Sequence, residues 1–240
     1  MREALAFLHR VEEGCADRIE PFAFGRALFC DARPRIWDFS FLRVERGEPD
    51  ADELVATANE LMSGLEHRRV VVDDEALAAR LGPGFPAHGW TTERHLVMEH
   101  RRAAEPGRAA EGRKASPDEL EPLWAELNRR RGFALDKRSI IEAAVPTRYF
   151  AGFANGAPAS SCELYSRDGI GQVEDVVTLE EHRNQGLASA AVLAAVDASL
   201  ADGNTLTFLV ADADDWPYHL YERLGFETTG MRRHFQRLPA

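Results

Sequence analysis

One junction between a strand-like run and a helix constrains the fold of this chain most. A strand-like run at residues 173–179, apolar apart from Glu174, Asp175 and Thr178, is followed by Arg183-Asn184-Gln185-Gly186-Leu187-Ala188 and then by a long stretch rich in Ala, Val and Leu. The first N–H groups of such a helix have no partner within it and carry partial positive charge. Gly186 lets a ligand approach the backbone, and Arg183 adds a full positive charge. The junction predicts a site for a phosphate or pyrophosphate group.

A loop of this kind also makes ordinary strand-to-helix turns, so the segment downstream decides its interpretation. A second strand is predicted at residues 205–211, followed by Leu220-Tyr221-Glu222-Arg223-Leu224-Gly225-Phe226. Together the two elements resemble the GCN5-related N-acetyltransferase (GNAT) family, whose acetyl-CoA loop reads Arg/Gln-x-x-Gly-x-Gly/Ala and whose later segment ends in Leu-Tyr-x-x-Leu-Gly-Phe. The resemblance covers roughly residues 115 to 235. It implies an α/β class with a mixed sheet, the GNAT acyl-CoA acyltransferase fold.

Composition and charge limit the kinds of molecule that this chain is expected to bind. The chain has 240 residues, 45% of them hydrophobic, which is enough to build a core. Its net charge of −11 argues against nucleic acid as a partner. Three widely spaced cysteines predict buried or free thiols in a reducing cytoplasm, and no metal-ligand spacing is apparent. No apolar run approaches the ~20 residues that span a bilayer, so no membrane association is expected.

The chain is predicted to contain two structured parts. Residues 101–114 are charged and punctuated by Gly and Pro, which is typical of a linker, with a short strand considered at its end. Residues 115–240 form the predicted catalytic GNAT domain, for which the resemblance implies the order α-α-β-β-β-α-β-α-β. Within it, Asn155-Gly156 is a strong hairpin signal.

Residues 1–100 repeat this layout faintly, which favours a tandem arrangement with a smaller, degenerate GNAT-like first domain. An unrelated α/β cap is the alternative. The segment Glu48-Pro49-Asp50-Ala51-Asp52 precedes the helix predicted at residues 52–65. Carboxylates there would repel a pyrophosphate, and Pro49 has no N–H to donate. We therefore do not expect the first half to bind acetyl-CoA productively. Strands are predicted at residues 26–30, 36–44, 69–72 and 95–100, and a second helix at residues 75–81.

The resemblance implies direct transfer of an acetyl group from acetyl-CoA, the cosubstrate, to an amine. Arg183 and the backbone around it would hold the pyrophosphate. Three strand residues would pair with the pantetheine arm through their backbone, although they equally fit a plain β-branched core. The cradle residues are Asn184, Gln185, Gly186, Leu187, Ala188 and Ser189, and the strand residues are Val176, Val177 and Thr178.

Acid–base roles fall on a few side chains. Tyr221 is the candidate general acid, because a phenol is protonated at neutral pH, and the alternative is a packed helix aromatic. Tyr218 is the fallback donor. Asp214 stands where many family members place an Asn that touches the cofactor, and a helix N-cap is the other interpretation. Glu174 and Asp175 are candidate bases, one of which should face the acceptor, whereas a solvent-facing acid or a salt bridge would also account for them.

The expected acceptor is the primary amine of a small molecule. A carboxylate seen in some protein-N-terminus acetyltransferases falls at Leu209, which argues against a peptide. Transfer to a protein N-terminus or lysine remains an alternative, as does a non-catalytic acyl-CoA sensor. A homodimer is also considered, since the sequence does not fix the oligomeric state.

Overall fold

The computed structural model describes residues 1–107, 109–131 and 137–239, which form a mixed α/β architecture with parallel and antiparallel strand pairs. The predicted fold class is confirmed. Within the described residues, no helix is both long and apolar enough to cross a membrane.

Seven α-helices are described, together with three short 3-10 helices at Trp37–Phe39, Gly82–His88 and Glu180–His182. The α-helices are α1 (Arg2–Gly14), α2 (Ala51–Leu61), α3 (Glu75–Leu81), α4 (Pro117–Arg131), α5 (Arg138–Ala144), α6 (Leu187–Ala201) and α7 (Pro217–Arg223).

Eleven strands are described alongside these helices. They are β1 (Arg18–Phe22), β2 (Gly25–Phe29), β3 (Phe41–Val44), β4 (Arg68–Val72), β5 (Thr91–His100), β6 (Glu111–Ala115), β7 (Thr147–Ala154), β8 (Ala157–Arg167), β9 (Ile170–Thr178), β10 (Leu206–Asp212) and β11 (Phe226–Arg237). The strand predicted at residues 36–44 is shorter than expected, because hydrogen bonds from Ile36 N–H to Arg33 O and from Phe39 N–H to Ile36 O turn the chain first.

The chain divides into two compact units that do not follow chain order. The first unit comprises Met1–Val97, Ala211–Trp216 and Thr228–Ala240, and the second comprises Met98–Val210 and Pro217–Glu227. The sequence-based boundaries instead place a linker at residues 101–114. Strand β6 occupies the end of that stretch, and Arg108 lies outside the described residues.

In the first unit, strands are ordered β1-β2-β3-β4-β11-β5. Strands β3 and β4 are parallel and are connected through α2, whereas β11 runs antiparallel to β4 with Arg233 opposite Val72. Helices α2 and α3 pack on a core whose centre includes Phe85 and Phe235, stacked with ring centroids 4.1 Å apart.

In the second unit, strands are ordered β10-β9-β8-β7-β6. Strands β9 and β10 are parallel and are connected through α6, and the remaining pairs are antiparallel. The predicted hairpin is confirmed, because Asn155 (φ 52°) and Gly156 (φ 80°) form the turn between β7 and β8. The element order after β6 is the predicted α-α-β-β-β-α-β-α-β.

Helix α6 lies unusually close to the strands beneath its first turns. A Cβ atom on Gly152 of β7 would be 2.3 Å from the Leu187 carbonyl oxygen, and one on Gly112 of β6 would be 2.2 Å from that of Ala190. Real side chains do not make such contacts, so both positions require glycine for this packing. The two glycines therefore set the position of the N-terminal end of α6.

Candidate functional site

The start of α6 has the geometry that the junction motif predicts. Gly186 is its N-cap residue in the left-handed conformation (φ 83°), and no side chain among the described residues forms a capping hydrogen bond at this end of the helix. Its carbonyl oxygen accepts the hydrogen bond from Ala190 N–H, while Leu187 is buried and anchors the first turn. The earlier N–H groups of the helix have no intrahelical acceptor. This end is built to receive an anion.

The residues before Gly186 hold the loop and leave its charge available. Arg183, Asn184 and Gln185 are exposed, and Asn184 is also left-handed at φ 61°. Gln185 Nε2 donates to the Glu181 carbonyl oxygen at 3.2 Å. No carboxylate in the described part of the chain forms an ion pair with Arg183. Its guanidinium is thus placed to add charge to the helix end.

Strands β9 and β10 are paired with each other over only the first part of their lengths. Their parallel register runs from Ile170 opposite Leu206 to Val173 opposite Leu209. Residues 174–178 of β9 continue past this stretch without a paired residue in β10, although both strands are described throughout. Val176, Val177 and Thr178 therefore lie on a segment whose edge toward β10 can take an added strand. Their contact with pantetheine remains a prediction.

A bulge shapes the same segment on its other side. The register between β8 and β9 shifts between Ser161 and Glu163, so that Asp175 and Val176 together oppose Cys162. Asp175 is exposed and left-handed at φ 48°, a conformation uncommon for residues other than glycine. Beyond the bulge, Ser160 Oγ donates to Val177 O at 2.8 Å. The bulge thus changes the simple alternation of side chains that the sequence suggests.

Two carboxyl groups meet across β8 and β9. Glu163 lies directly opposite Glu174, and both residues are half-buried. Tyr165 donates its hydroxyl hydrogen to Glu163 Oε2 at 2.6 Å, and Gln172 Nε2 donates to Glu174 Oε1 at 2.5 Å. Residues two apart on a strand share a face, so these four side chains form one polar row.

Both carboxyl groups titrate near neutrality. Burial raises the pKa of Glu163 to about 7; the nearby Asp175 carboxylate adds to this rise, and the hydrogen bond from Tyr165 opposes it. Burial likewise raises the pKa of Glu174 to about 7, against the hydrogen bond from Gln172. Because the two groups face each other, their protons are coupled. A carboxylate with such a pKa can accept and release a proton at physiological pH.

Further acidic and aromatic groups extend this row. Tyr149 on β7 lies opposite Glu163, and its hydroxyl donates to Glu142 of α5 at 2.7 Å. Arg138, at the start of α5, has its guanidinium 4.3 Å from the centre of the Trp124 ring and attracts the Glu163 carboxylate. The row therefore carries several carboxyl groups with a cation at its margin.

The two candidate proton donors lie on α7. Tyr221 is buried, 8% exposed, and contacts Phe226 edge-on with ring centroids 6.2 Å apart. Tyr218 is half-buried, and its ring centre lies 3.9 Å from that of His219. Packing of Tyr221 agrees with both of its interpretations, so its role as general acid remains a prediction.

Asp214 has a partner of its own. Its carboxylate accepts hydrogen bonds from Arg94, with Nε at 3.1 Å, and the pair is exposed in the first unit. Just before α7, the neighbouring Asp215 accepts instead from the Trp216 N–H at 2.8 Å. Any contact of Asp214 with a cofactor would have to compete with Arg94, and that contact remains a prediction.

Comparison with known proteins agrees with this geometry. Residues 111–226 match the family model described as Acetyltransferase (GNAT) family. The matched segment, 116 of the 240 residues, is similar to the GNAT acetyltransferases. The family generally uses acetyl-CoA as cosubstrate, so acetyl transfer is the general class of activity that the match supports. A search of curated proteins gave no match.

Solved structures extend the likeness in fold to both units. A GCN5-related N-acetyltransferase from Kribbella flavida is 21% identical, with a TM-score of 0.70 over 100% of this chain and 95% of that chain. A functionally unknown conserved protein from Staphylococcus epidermidis is 14% identical, with a TM-score of 0.69 over 94% and 95%. A GNAT-family acetyltransferase from Colwellia psychrerythraea is 10% identical, with a TM-score of 0.55 over 98% and 97%. At these identities the likeness shows the fold alone.

The start of α2 differs from the start of the GNAT segment's helix α6. Asp50 accepts a hydrogen bond from Glu53 N–H at 2.8 Å, and Glu53 accepts one from Asp50 N–H at 3.0 Å. This capping box places two carboxylates where an anion would have to bind. The arrangement agrees with the expectation that the first half does not bind acetyl-CoA.

Glu163 is the residue of the GNAT segment that sequence reasoning missed. It precedes Glu174 by eleven positions and belongs to a different strand, and the two-residue turn at Asp168-Gly169, between Arg167 and Ile170, places the two residues opposite each other. One signal was available, because Glu163 is a lone charged residue within an otherwise uncharged run from residue 149 to residue 166.

Proposed function

We propose that the second unit transfers an acetyl group from acetyl-CoA to the primary amine of a small cationic molecule. The observation that carries this proposal is the uncapped start of α6, with Gly186 left-handed, inside the segment that matches the GNAT family. Glycines at positions 112 and 152 fix that helix end against the sheet. Acetyl-CoA supplies the acetyl group and a thiolate as the leaving group.

Binding of the cosubstrate divides between two surfaces of the chain. The backbone from Asn184 to Ser189, with Arg183, would hold the diphosphate through N–H groups and one full charge. The backbone of residues 176–178, which extends past the β10 pairing, would hold the pantetheine arm as an added strand. The arrangement fits the group because neither surface is occupied by a capping side chain or a paired strand among the described residues.

Proton transfer is assigned to two side chains. A primary amine is protonated at neutral pH and must lose a proton before it can attack a carbonyl carbon. Glu174, coupled to Glu163, would accept that proton, because a carboxyl group with a pKa of about 7 is largely ionised just above neutrality. Tyr221 would donate its hydroxyl proton to the departing sulfur, and the second proton that the nitrogen loses on becoming an amide would restore the phenol through solvent.

The charge of the polar row supports a cationic acceptor. Glu142, Glu163 and Glu174 lie on adjacent elements, and Asp175 is close enough to raise the pKa of both Glu163 and Glu174. Such a concentration of carboxyl groups attracts an ammonium and repels an acid. Leu209 is buried and apolar, so it provides no carboxylate for a peptide N-terminus.

For the first unit we propose a degenerate GNAT-like domain. Its β3-α2-β4 segment and the β9-α6-β10 segment of the second unit both join two parallel strands through a helix. This repeat supports a tandem origin, and the capping box of α2 supports the loss of acetyl-CoA binding. We further propose a cytoplasmic protein, in line with three buried free thiols, Cys15, Cys30 and Cys162.

The test is thiol release from acetyl-CoA with a panel of amines. We expect turnover with small cationic amines, and we expect Tyr221→Phe to lower kcat by about 10²–10⁴ while acetyl-CoA binding is retained. Tyr218→Phe is the matched variant on the same helix. If Tyr218→Phe loses the rate and Tyr221→Phe does not, Tyr221 is not the acid. Tight acetyl-CoA binding without turnover on any amine would instead identify a sensor, and turnover on peptides alone would identify a protein acetyltransferase.

A further inference from the structure

Three potential metal ligands meet in the first unit, away from any motif found in the sequence. Glu93 and His95 are two residues apart on β5 and so share one face of the strand, and His234 comes from the neighbouring strand β11. One donor atom from each residue lies within 4.8 Å of the other two. The sequence predicted no metal site, because nearly the whole second unit separates His234 from the other two residues.

The imidazole groups in this cluster lack the hydrogen bonds that buried histidines normally make. Among the described residues, neither buried ring nitrogen of His234 has a hydrogen-bond partner, and the buried Nε2 of His95 has only the Glu93 carboxylate beside it, with Oε2 at 3.5 Å. The two rings lie 4.2 Å apart, centre to centre. Leaving a buried polar atom unpaired destabilises the folded state, so several such atoms in one place indicate a partner that binds them. A metal ion can be that partner, because imidazole nitrogens bind metals through their lone pairs.

Outer contacts hold the carboxylate of the cluster in place. Gln236, which is 2% exposed, donates from Nε2 to Glu93 Oε1. Arg69 donates to Gln236 Oε1 from Nε at 3.0 Å and from Nη2 at 2.7 Å, and its Nη1 is paired with Asp38. Ligating carboxylates in metal sites are oriented by such second contacts.

The charges around His234 are largely balanced. Arg232 and Arg69 face His234 and oppose a positive charge on it. Arg232 is itself paired with Glu12 and Asp73, and Arg69 with Asp38.

We propose that Glu93, His95 and His234 bind a divalent transition-metal ion, with Zn²⁺ as the expected ion. Two imidazoles and one carboxylate suit Zn²⁺ and its neighbours in the first transition row, whereas Mg²⁺ and Ca²⁺ prefer oxygen donors alone. Three protein ligands leave a fourth position for water or an external ligand. The ion would join β5 to β11, and the site is independent of the residues proposed for acetyl transfer.

The test uses the full chain after treatment with a chelator. We expect one Zn²⁺ per chain in competition with a chromophoric chelator, and visible absorption from four-coordinate Co²⁺ at the same stoichiometry. His95→Gln and Glu93→Gln should each weaken binding by at least about 100-fold. His88→Gln is the matched control, since His88 belongs to the same unit and binds Asp52 at 2.7 Å. Zn²⁺ should raise the Tm of the wild-type chain and of His88→Gln only.

Folding of each variant is checked first by circular dichroism. Both ring nitrogens of His234 are buried, so His234→Asn is used only if it folds. The two β5 variants test the proposal if it does not fold. The proposal is overturned if the wild-type chain binds no stoichiometric Zn²⁺. It is also overturned if the folded β5 variants bind Zn²⁺ as tightly as His88→Gln does.

Discussion

Replacing Glu174 by Gln should make the protein more stable and less active at the same pH. The substitution keeps the size of the side chain and an oxygen that can accept from Gln172, but removes the charge opposite Glu163. The pKa of Glu174 rises from 4.5 to about 7 on folding. A rise of this size corresponds to about 3 kcal/mol, which partial exposure reduces to about 1–3 kcal/mol.

The sign follows from the direction of the pKa change. Below pH 4.5 the carboxyl group is neutral in both states, so wild type and variant should have similar stability. Between pH 4.5 and about 7 the unfolded chain releases the proton while the folded chain keeps it, and the wild type loses stability as the pH rises. Above pH 7 the full cost applies, and Glu174→Gln should be more stable by about 1–3 kcal/mol.

Activity should change in the opposite direction. An ionised Glu174 is required as proton acceptor, so wild-type kcat/KM should rise with pH through about 7 and fall to about a tenth of its plateau at pH 6. Glu174→Gln should lower the plateau by about 10²–10⁴. Thiol release measured from pH 5.5 to 8.5, with an amine whose own pKa lies well above that range, and urea unfolding at pH 5 and pH 8 provide both readouts.

The control for this experiment is Glu227→Gln, which changes an exposed carboxylate of the second unit. It should leave rate and stability unchanged. A Glu174→Gln protein that keeps the wild-type rate at pH 8 would show that Glu174 is not the base. A variant that is less stable than wild type at pH 8 would show that the carboxylate is not destabilised by its position, and the reasoning from burial would be wrong.

Two further substitutions test how the start of α6 is held and what it binds. Gly152→Ala would place a Cβ atom 2.3 Å from Leu187 O, so we expect a loss of about 1–3 kcal/mol in unfolding experiments and a higher KM for acetyl-CoA; Gly64→Ala, with no atom within 4 Å, should change neither. Calorimetry should detect one acetyl-CoA per chain, and Arg183→Ala should weaken it by about threefold to tenfold, more at low salt than at high salt. An unchanged KM in the first case, or unchanged affinity in the second, would contradict the proposed cradle.

Local features of the fold could be predicted from the sequence because local chemistry determines them. The hairpin at Asn155-Gly156 forms because both residues tolerate positive φ, which its turn requires. Helix α3 begins where Asp74 accepts from Leu77 N–H and ends at Leu81, as predicted. The start of α6 follows from Gly186 after an apolar strand. In each case the determining residues lie within a few positions of one another.

The pairing of strands that lie far apart in the chain could not be predicted from local sequence in the same way. Strand β11 pairs with β4, with His234 opposite Val71, and no local pattern in residues 226–237 indicates this partner. Glu163 and Glu174 differ in this respect, because the two-residue turn at Asp168-Gly169 sets their alignment and the bulge at Asp175 lies beyond it. The potential metal ligands therefore depend on a long-range strand pairing, whereas the carboxyl pair follows from a local hairpin.

Helices α2 and α6 each connect two parallel strands, but the N–H groups at their N-terminal ends are treated differently. At α2 the Asp50–Glu53 capping box satisfies N–H groups within the chain, and such a cap stabilises a helix by about 0.5–2 kcal/mol. At α6 the chain forgoes that stabilisation, because Gly186 offers no side-chain acceptor. A diphosphate bound there would satisfy the same N–H groups with a stronger, charge-assisted partner. The missing cap at α6 therefore leaves N–H groups available for the proposed ligand, whereas the cap at α2 already uses the corresponding groups.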